Sequence, residues 1–431
     1  FDLFQLWKEN FIMNDFRRTV LWVIFGFSMV LLWDQWQVHN GNKATFFPTP
    51  AQHAKVAEAA ASGTPQAAGV PAAVVTQNAA TVPAVETRAA TKELVQVETD
   101  VFKLSFDTEG GTLARVELLK HDDEQKPGHK IVLLDDSKDR IYTAQTGLIS
   151  STPGVALPTH KSVMTVRPGA RKLKDGDNEL SIIFESAAQG GVKLVKTYTV
   201  KRGAYDMSVK QDIVNTGTQD VAPQLYFQLV RDGNKPAGES SFYSTFTGPA
   251  IYTDAKKYQK AEFADIKKKK VEVEKQSNTG YIAMVQHYFA SAWILPEGMN
   301  RDISLDAVDI GSAMPDCCYR VTAIAPLDAI KPGQSKSVTA TFYAGPQEEK
   351  KLEALYPGLE LVKDYGWLTI LAKPLFWLLD QLNSILKNWG WSIVSLVVLL
   401  KAGFYWLNAH AYQSMAKMKA INPKIMEMRE R

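Results

Sequence analysis

Val192-Lys193-Leu194-Val195-Lys196-Thr197-Tyr198-Thr199-Val200 alternates along its length, Lys201-Arg202-Gly203-Ala204 breaks the run, and Tyr205-Asp206-Met207-Ser208-Val209 takes it up again. A period of two sends successive side chains to opposite faces of a strand, and a glycine-containing break between two such runs reads as a hairpin. Working outward, Val101-Phe102-Lys103-Leu104-Ser105-Phe106 repeats the pattern, with Phe102, Leu104 and Phe106 on one side. Gly110-Gly111, Pro168-Gly169, Asn215-Thr216-Gly217 and Pro332-Gly333 punctuate further strands. No helical period of ten or more residues interrupts the stretch. Residues 95–345 are therefore expected to form an all-β sandwich or barrel.

The chain has 431 residues, room for two or three domains, and 49 Lys+Arg against 46 Asp+Glu leave a net charge of +3. That near-neutral balance excludes a whole-chain nucleic-acid binder, and no nucleic-acid partner is expected. The two cysteines, Cys317 and Cys318, are adjacent, which leaves no disulfide framework and no CxxC spacing; ordinary thiols are expected. There is no GxGxxG opening a helix, no HExxH and no GxSxG, so no catalytic residue, cofactor or metal ligand is assigned. His121, His129, His160 and His287 are scattered. Lys267 to Lys270, followed by Val-Glu-Val-Glu, reads as a solvated hairpin edge, where lysines block pairing between sheets.

Residues 19–33 carry no charge between Arg18 and Asp34. As a helix they reach ~22 Å, or ~27 Å if the helix runs on to Trp36, marginal for a span and compatible with the apolar core of a signal peptide. The flank Asp34-Gln35-Trp36-Gln37-Val38 is bulky where signal peptidase needs small residues. Residues 19–36 are thus expected to be an uncleaved transmembrane signal anchor, and Arg17 and Arg18 place residues 1–18 in the cytoplasm. Residues 1–12 precede Met13 and are expected not to be native. Residues 37–94 are rich in Ala, Pro, Thr, Val and Gln, bury too little to offset ordering entropy, and read as a flexible tether.

After a connector at 346–366, residues 367–387 are apolar yet patterned. Lys373, Asp380 and Lys387 recur at spacing seven with Ser384 beside them, so they share one stripe of an amphipathic helix lying in the membrane interface. Pro374 is expected to kink that helix or mark its start. Residues 391–409 are long and apolar enough to span, with Lys401 near the middle. The aliphatic residues contribute about −3 to −5 kcal/mol to insertion and one central lysine costs about +2.5 to +3.5, so insertion stays neutral to favourable. Tyr405, Asn408 and Tyr412 follow Lys401 at i+4, i+7 and i+11, within about 40° of it on a helical wheel. On the outer side the same stripe turns apolar, with Val394 and Val397. A polar stripe from mid-membrane to one edge implies a water-filled groove open to the cytoplasm; the alternative is packing against polar groups of another helix. Lys417, Lys419, Lys424, Arg429 and Arg431 keep the C-terminal side cytoplasmic, so everything between the two spans lies across the membrane. Residues 412–431 form a basic, Met-rich, helix-forming run with no stop signal, expected to continue.

Several stretches are more specific: Asp364-Tyr365-Gly366-Trp367 with Lys373-Pro374-Leu375-Phe376, Asn388-Trp389-Gly390, and Tyr412-Gln413-Ser414-Met415-Ala416-Lys417-Met418 with Pro423-Lys424-Ile425. With Tyr288-Phe289-Ala290-Ser291-Ala292-Trp293-Ile294 in the sheet region, they resemble the YidC family of bacterial membrane-protein insertases, over nearly the whole chain from Met13. The resemblance implies that 95–345 is a large periplasmic domain, a β-supersandwich similar to sugar mutarotases. It implies that 391–409 is the first transmembrane helix of the insertase core and that 412–431 starts a cytoplasmic helical hairpin, the remaining core helices being absent here. Lys401 falls where that family usually shows Arg, which keeps the charge and loses the planar fork. The implied function is non-enzymatic: a multi-pass protein of the bacterial inner membrane helping nascent membrane proteins insert and fold. It would act alone or with Sec translocon components, with the lipid bilayer and the ribosome as further partners. A rival from another class is a membrane-tethered periplasmic carbohydrate-binding or mutarotase-like protein, needing a histidine and a carboxylate to converge; His287, beside Tyr288-Phe289, is its candidate.

Overall fold

A computed structural model describes residues 93–236, 245–308, 317–365, 369–405, 409–410, 412–413, 415 and 418. The expected cytoplasmic segment 1–18, the anchor 19–36, nearly all of the tether 37–94, and Asn408 lie outside these residues.

Strands run from Leu94 to Pro346. The first five are β1 (Leu94–Glu98), β2 (Phe102–Asp107), β3 (Thr112–Asp122), β4 (Lys130–Asp136) and β5 (Ile141–Ser150). Then come β6 (Met164–Val166), β7 (Glu179–Ser186), β8 (Val192–Lys201), β9 (Asp206–Asn215) and β10 (Pro223–Arg231). The last eight are β11 (Gly248–Thr253), β12 (Lys257–Lys260), β13 (Gln276–Ser277), β14 (Tyr281–Gln286), β15 (Phe289–Ile294), β16 (Arg301–Ala307), β17 (Tyr319–Pro326) and β18 (Ser335–Pro346). They build two nine-stranded sheets, ordered β1-β2-β3-β4-β5-β10-β17-β16-β13 and β12-β11-β14-β15-β18-β9-β8-β7-β6. The expected hairpin is present: Val200 pairs with Met207 across a turn in which Gly203 takes φ +73°.

Side chains from both sheets meet in one core. Phe102, Leu104 and Phe106 of β2 are fully buried, as the alternation requires. Phe106 lies 5.5 Å from Phe184 of β7 and 4.8 Å from Tyr198 of β8, ring centre to ring centre, so aromatic contacts bridge the layers. Burying each such ring contributes about 1.5–3 kcal/mol.

One inward position of β8 is a lysine. Lys196 follows Leu194 and precedes Tyr198 on the same face and is fully buried. Its Nζ donates to the carbonyls of Gly110 at 2.7 Å and Thr146 at 2.8 Å, and Tyr198 Oη donates to Gly111 O at 2.8 Å. Two polar groups of one sheet thereby hold the β2–β3 turn of the other. Gly110 (φ +72°) and Gly111 (φ +56°) need the left-handed conformation there, and a Cβ on Gly110 would run into the backbone of His160.

Three expectations are corrected. Lys267–Lys270 is not a hairpin edge but the last residue of a short helix, α1 (Phe263–Lys267), and the turn after it: Phe263 and Ile266, three residues apart, pack with Tyr319 and impose a helical turn. Cys317 and Cys318 are joined to each other rather than standing as two thiols, their Cα atoms 3.0 Å apart across a cis peptide. The connector 346–366 belongs to the domain. It folds into α2 (Glu349–Leu355) and a 3-10 turn at Leu359–Val362, and Leu352, Tyr356, Leu359 and Val362 join the core.

Candidate functional site

Two helices follow the sheets: α3 (Thr369–Leu386) and α4 (Trp389–Gly403), which contact each other. None of the 18 residues of α3 is buried. Ile370 is 89% exposed, Trp377 63% and Ile385 77%, a set of apolar side chains that nothing described covers. Pro374 sits inside α3 rather than at its start, so the bond it would donate to Ile370 O is missing.

The charged stripe is placed only in part. Asp380 is tied back to the sheet domain, 2.6 Å from Lys350 Nζ of α2. Lys363 Nζ lies 3.9 Å from the Phe376 ring centre and 3.8 Å from Glu349, whose carboxylate also accepts from Tyr365 Oη at 3.0 Å. Burial lowers the Lys363 ammonium and the Glu349 charge opposes that shift. Lys373 is exposed and Lys387 is not on the helix. Its φ of +53° puts it in the left-handed conformation that ends helices, its N–H bonded to Asn383 O at 2.9 Å. The seven-residue spacing thus outlasts the helix by one residue, and the shared stripe stops at Asp380.

Asn388 then starts α4. Its side chain accepts from Trp391 N at 3.2 Å and its carbonyl from Ser392 Oγ at 2.7 Å. The helix exposes Trp389, Trp391, Ile393, Val394, Val397, Val398 and Leu399. The sequence predicts one helix over 391–409; α4 begins at Trp389 and closes at Gly403, with Phe404 N–H bonded to Leu400 O at 2.9 Å. Helical residues resume at Tyr405, 409–410 and 412–413. Lys401 accordingly lies in the last turn of α4, where the helix dipole favours a cation. Lys401, Tyr405 (73%) and Tyr412 (70%) are all exposed. No hydrogen bond joins these three among the described residues. Among the described residues no helix is long and apolar enough to cross a membrane.

A cleft of about 1020 Å³ opens in the sheet domain, lined in part by His121, Arg140, Asp232, His287 and Tyr288. His287 Nδ1 is 2.7 Å from Thr245 Oγ1, and no contact with a carboxylate is found for it among the described residues. Asp232 accepts from the backbone N–H groups of Ile141 and Asn234, both at 2.9 Å, which makes it part of the frame. His121 Nε2 is 3.1 Å from Tyr205 Oη, and burial lowers its imidazole. Among the described residues, the histidine–carboxylate convergence expected of a carbohydrate site at His287 is not found. No cluster of metal-ligating side chains occurs among the described residues.

Sequence reasoning misses the clamp of Lys350, Lys363 and Glu349 on α3. Its one local signal is two acids followed by two lysines in Glu348-Glu349-Lys350-Lys351, with Glu348 and Lys351 at helical spacing.

Comparison with known proteins assigns the class first. Residues 94–378 match the model of the YidC periplasmic domain, and 381–431 match that of the 60Kd inner membrane protein. A nine-plus-nine-stranded periplasmic domain followed by apolar helices therefore defines an inner membrane protein with a large all-β domain. The chain is 47% identical over 421 residues to the membrane protein insertase YidC of Janthinobacterium sp. (strain Marseille), covering 96% of this chain and 72% of that one. It is 49% identical over 420 residues to the protein of the same description in Cupriavidus metallidurans, covering 97% and 73%. The chain belongs to the YidC family of membrane protein insertases. Among solved structures, a galactose mutarotase-like protein from Lactobacillus casei covers 58% of this chain and 100% of its own, with TM-score 0.38 and 10% identity. A putative aldose 1-epimerase from Escherichia coli gives TM-score 0.36 and 9% identity, covering 59% and 99%.

Proposed function

We propose that the chain acts as a membrane protein insertase and chaperone for nascent inner-membrane proteins, through a groove rather than a catalytic centre. Family membership across 96–97% of the chain carries this reading. In it, 19–36 and 391–409 cross the bilayer, the sheets stand in the periplasm, and both ends face the cytoplasm. Helix α3 lies flat in the interface, its exposed Ile370, Trp377 and Ile385 turned to lipid.

Lys401, Tyr405, Asn408 and Tyr412 line the cytoplasm-open groove. A hydrated groove shortens the apolar path that a polar segment must cross, which lowers its desolvation barrier. The Lys401 ammonium attracts acidic residues of that segment, and the apolar residues of α4 pass the substrate's own span to lipid. A Sec-type translocon and the ribosome are the partners such a handover calls for.

The test is water access. Single cysteines at 401, 405, 408 and 412, placed in the protein with Cys317 and Cys318 replaced by serine, are exposed to a membrane-impermeant thiol reagent in inverted vesicles. Labelling from the cytoplasmic face at all four positions supports the groove; protection at 401 and 405 in folded protein overturns it.

A further inference from the structure

Between residues 256 and 270 stand seven lysines against two carboxylates, Glu262 and Asp265. The chain as a whole carries only +3, so this is a local concentration of charge. All seven lysines are exposed. Lys257 lies 3.7 Å from Asp254 and Lys260 pairs with Asp364, whereas Lys256, Lys268, Lys269 and Lys270 make no ion pair among the described residues. Glu272 and Glu274 follow the run. Of these lysines Lys260 holds Asp364, while α1 itself is packed through Phe263 and Ile266 against Tyr319.

Their place in the fold matters more than their number. The Lys260–Asp364 pair fastens β12 to the segment that leads into α3, five residues before Thr369. An extended chain of that length spans at most about 17 Å, and the path from Lys260 through α1 to Lys268 spans at most about 20 Å. Lys260, at one end of the lysine-rich segment, therefore sits beside the root of the helix whose apolar side chains are exposed, and the run at 267–270 follows it along the chain. Exposed apolar groups on α3 and a lysine-rich segment fastened at its root are complementary to the two layers of one surface, acyl chains and phosphate headgroups.

We propose that the lysine face formed by Lys256, Lys257 and Lys267–Lys270 binds the anionic phospholipid headgroups of the bilayer surface on which α3 rests. This extends the proposed function and rests on α3 lying in the interface. Attraction of this kind is felt within about 8 Å at physiological salt, so it selects one tilt of the sheet domain over the membrane.

The test uses the whole chain in lipid nanodiscs, with Cys317 and Cys318 replaced by serine and a fluorophore on Ala264→Cys of α1. Lipids with a nitroxide on the headgroup quench a fluorophore that touches the surface. Quenching is expected to rise several-fold when phosphatidylglycerol is mixed into phosphatidylcholine. It should fall to the neutral-lipid level in 1 M salt, where screening acts within about 3 Å, and in the variant with Lys267, Lys268, Lys269 and Lys270 all changed to Gln. A second fluorophore, on Trp377→Cys, reports α3. If the label at 377 is quenched and the label at 264 ignores phosphatidylglycerol, the lysine face is wrong while the interfacial helix stands. If neither is quenched, both fall. A label at 264 that ignores lipid but responds to added poly-glutamate gives the face to an acidic polypeptide and overturns the proposal.

Discussion

Lys350 Nζ stands 2.6 Å from Asp380 Oδ2, so the last helix packed on the sheets is tied by charge to the amphipathic helix that follows. The lysine side chain is 79% exposed and the aspartate 25%, which limits the pair to about 0–1 kcal/mol. Its consequence is one of direction more than of stability. Asp380→Asn is expected to leave the urea midpoint of the sheet domain almost unchanged and to speed amide exchange along 369–386. Equal exchange in the two proteins would mean that the pair does not hold α3.

Lys196 gives the sheet domain a dependence on alkaline pH. Burial draws its ammonium down to about 7, against 10.5 for a free side chain. Between those values the unfolded chain holds a proton that the native protein has released, so stability rises with pH across that window and is flat below it. Urea unfolding at pH 7 and at pH 9.5 is expected to show the gain. Lys196→Met should abolish it and, by orphaning the Gly110 and Thr146 carbonyls, cost about 1–3 kcal/mol at the higher pH. A variant with the same pH slope as the parent would show that the lysine is not the source.

His160 acts at the other end of the scale. It is 3% exposed, its Nδ1 is 2.7 Å from Tyr226 Oη, and its Nε2 has no hydrogen-bond partner among the described residues. Burial, with Lys161, Lys196 and Arg320 adding to it, holds the imidazole well below its ordinary 6.5. Below pH 6.5 the unfolded chain takes up a proton that the native protein refuses, so stability is lost as pH falls, by up to about 1.4 kcal/mol per unit. His160→Gln should flatten the profile between pH 6.5 and 5, measured by urea midpoints. An unchanged acid slope would exclude His160 as its origin.

Much of this was legible in the residues because burial of one face leaves a mark of period two. Phe102, Leu104 and Phe106 had to share a face, and they do. Lys196 stands on the inward parity with Leu194 and Tyr198, so its position could be read. Its acceptors could not, because they lie 86 and 50 residues away. The core role of Leu352 and Leu359 left no period, since each belongs to an element of seven residues or fewer. Phe263 and Ile266 were the signal for α1, outweighed by the lysines after them. Of the charges at 373, 380 and 387, the first two fall on α3 and the third lies one residue past it, because backbone geometry, not side-chain spacing, ends the helix. Lys401, Tyr405 and Tyr412 are exposed, but so are Val394, Val397 and Val398, so exposure along these residues does not test the proposed groove.

The most direct measurement is the insertion rate of a membrane protein with an acidic translocated tail, in cells whose only copy of this protein carries a change at Lys401. Lys401→Ala is expected to slow insertion several-fold and Lys401→Arg to preserve it, while a substrate with an uncharged tail is affected little by either. Undiminished insertion of the acidic tail with alanine at 401 would contradict a positively charged groove.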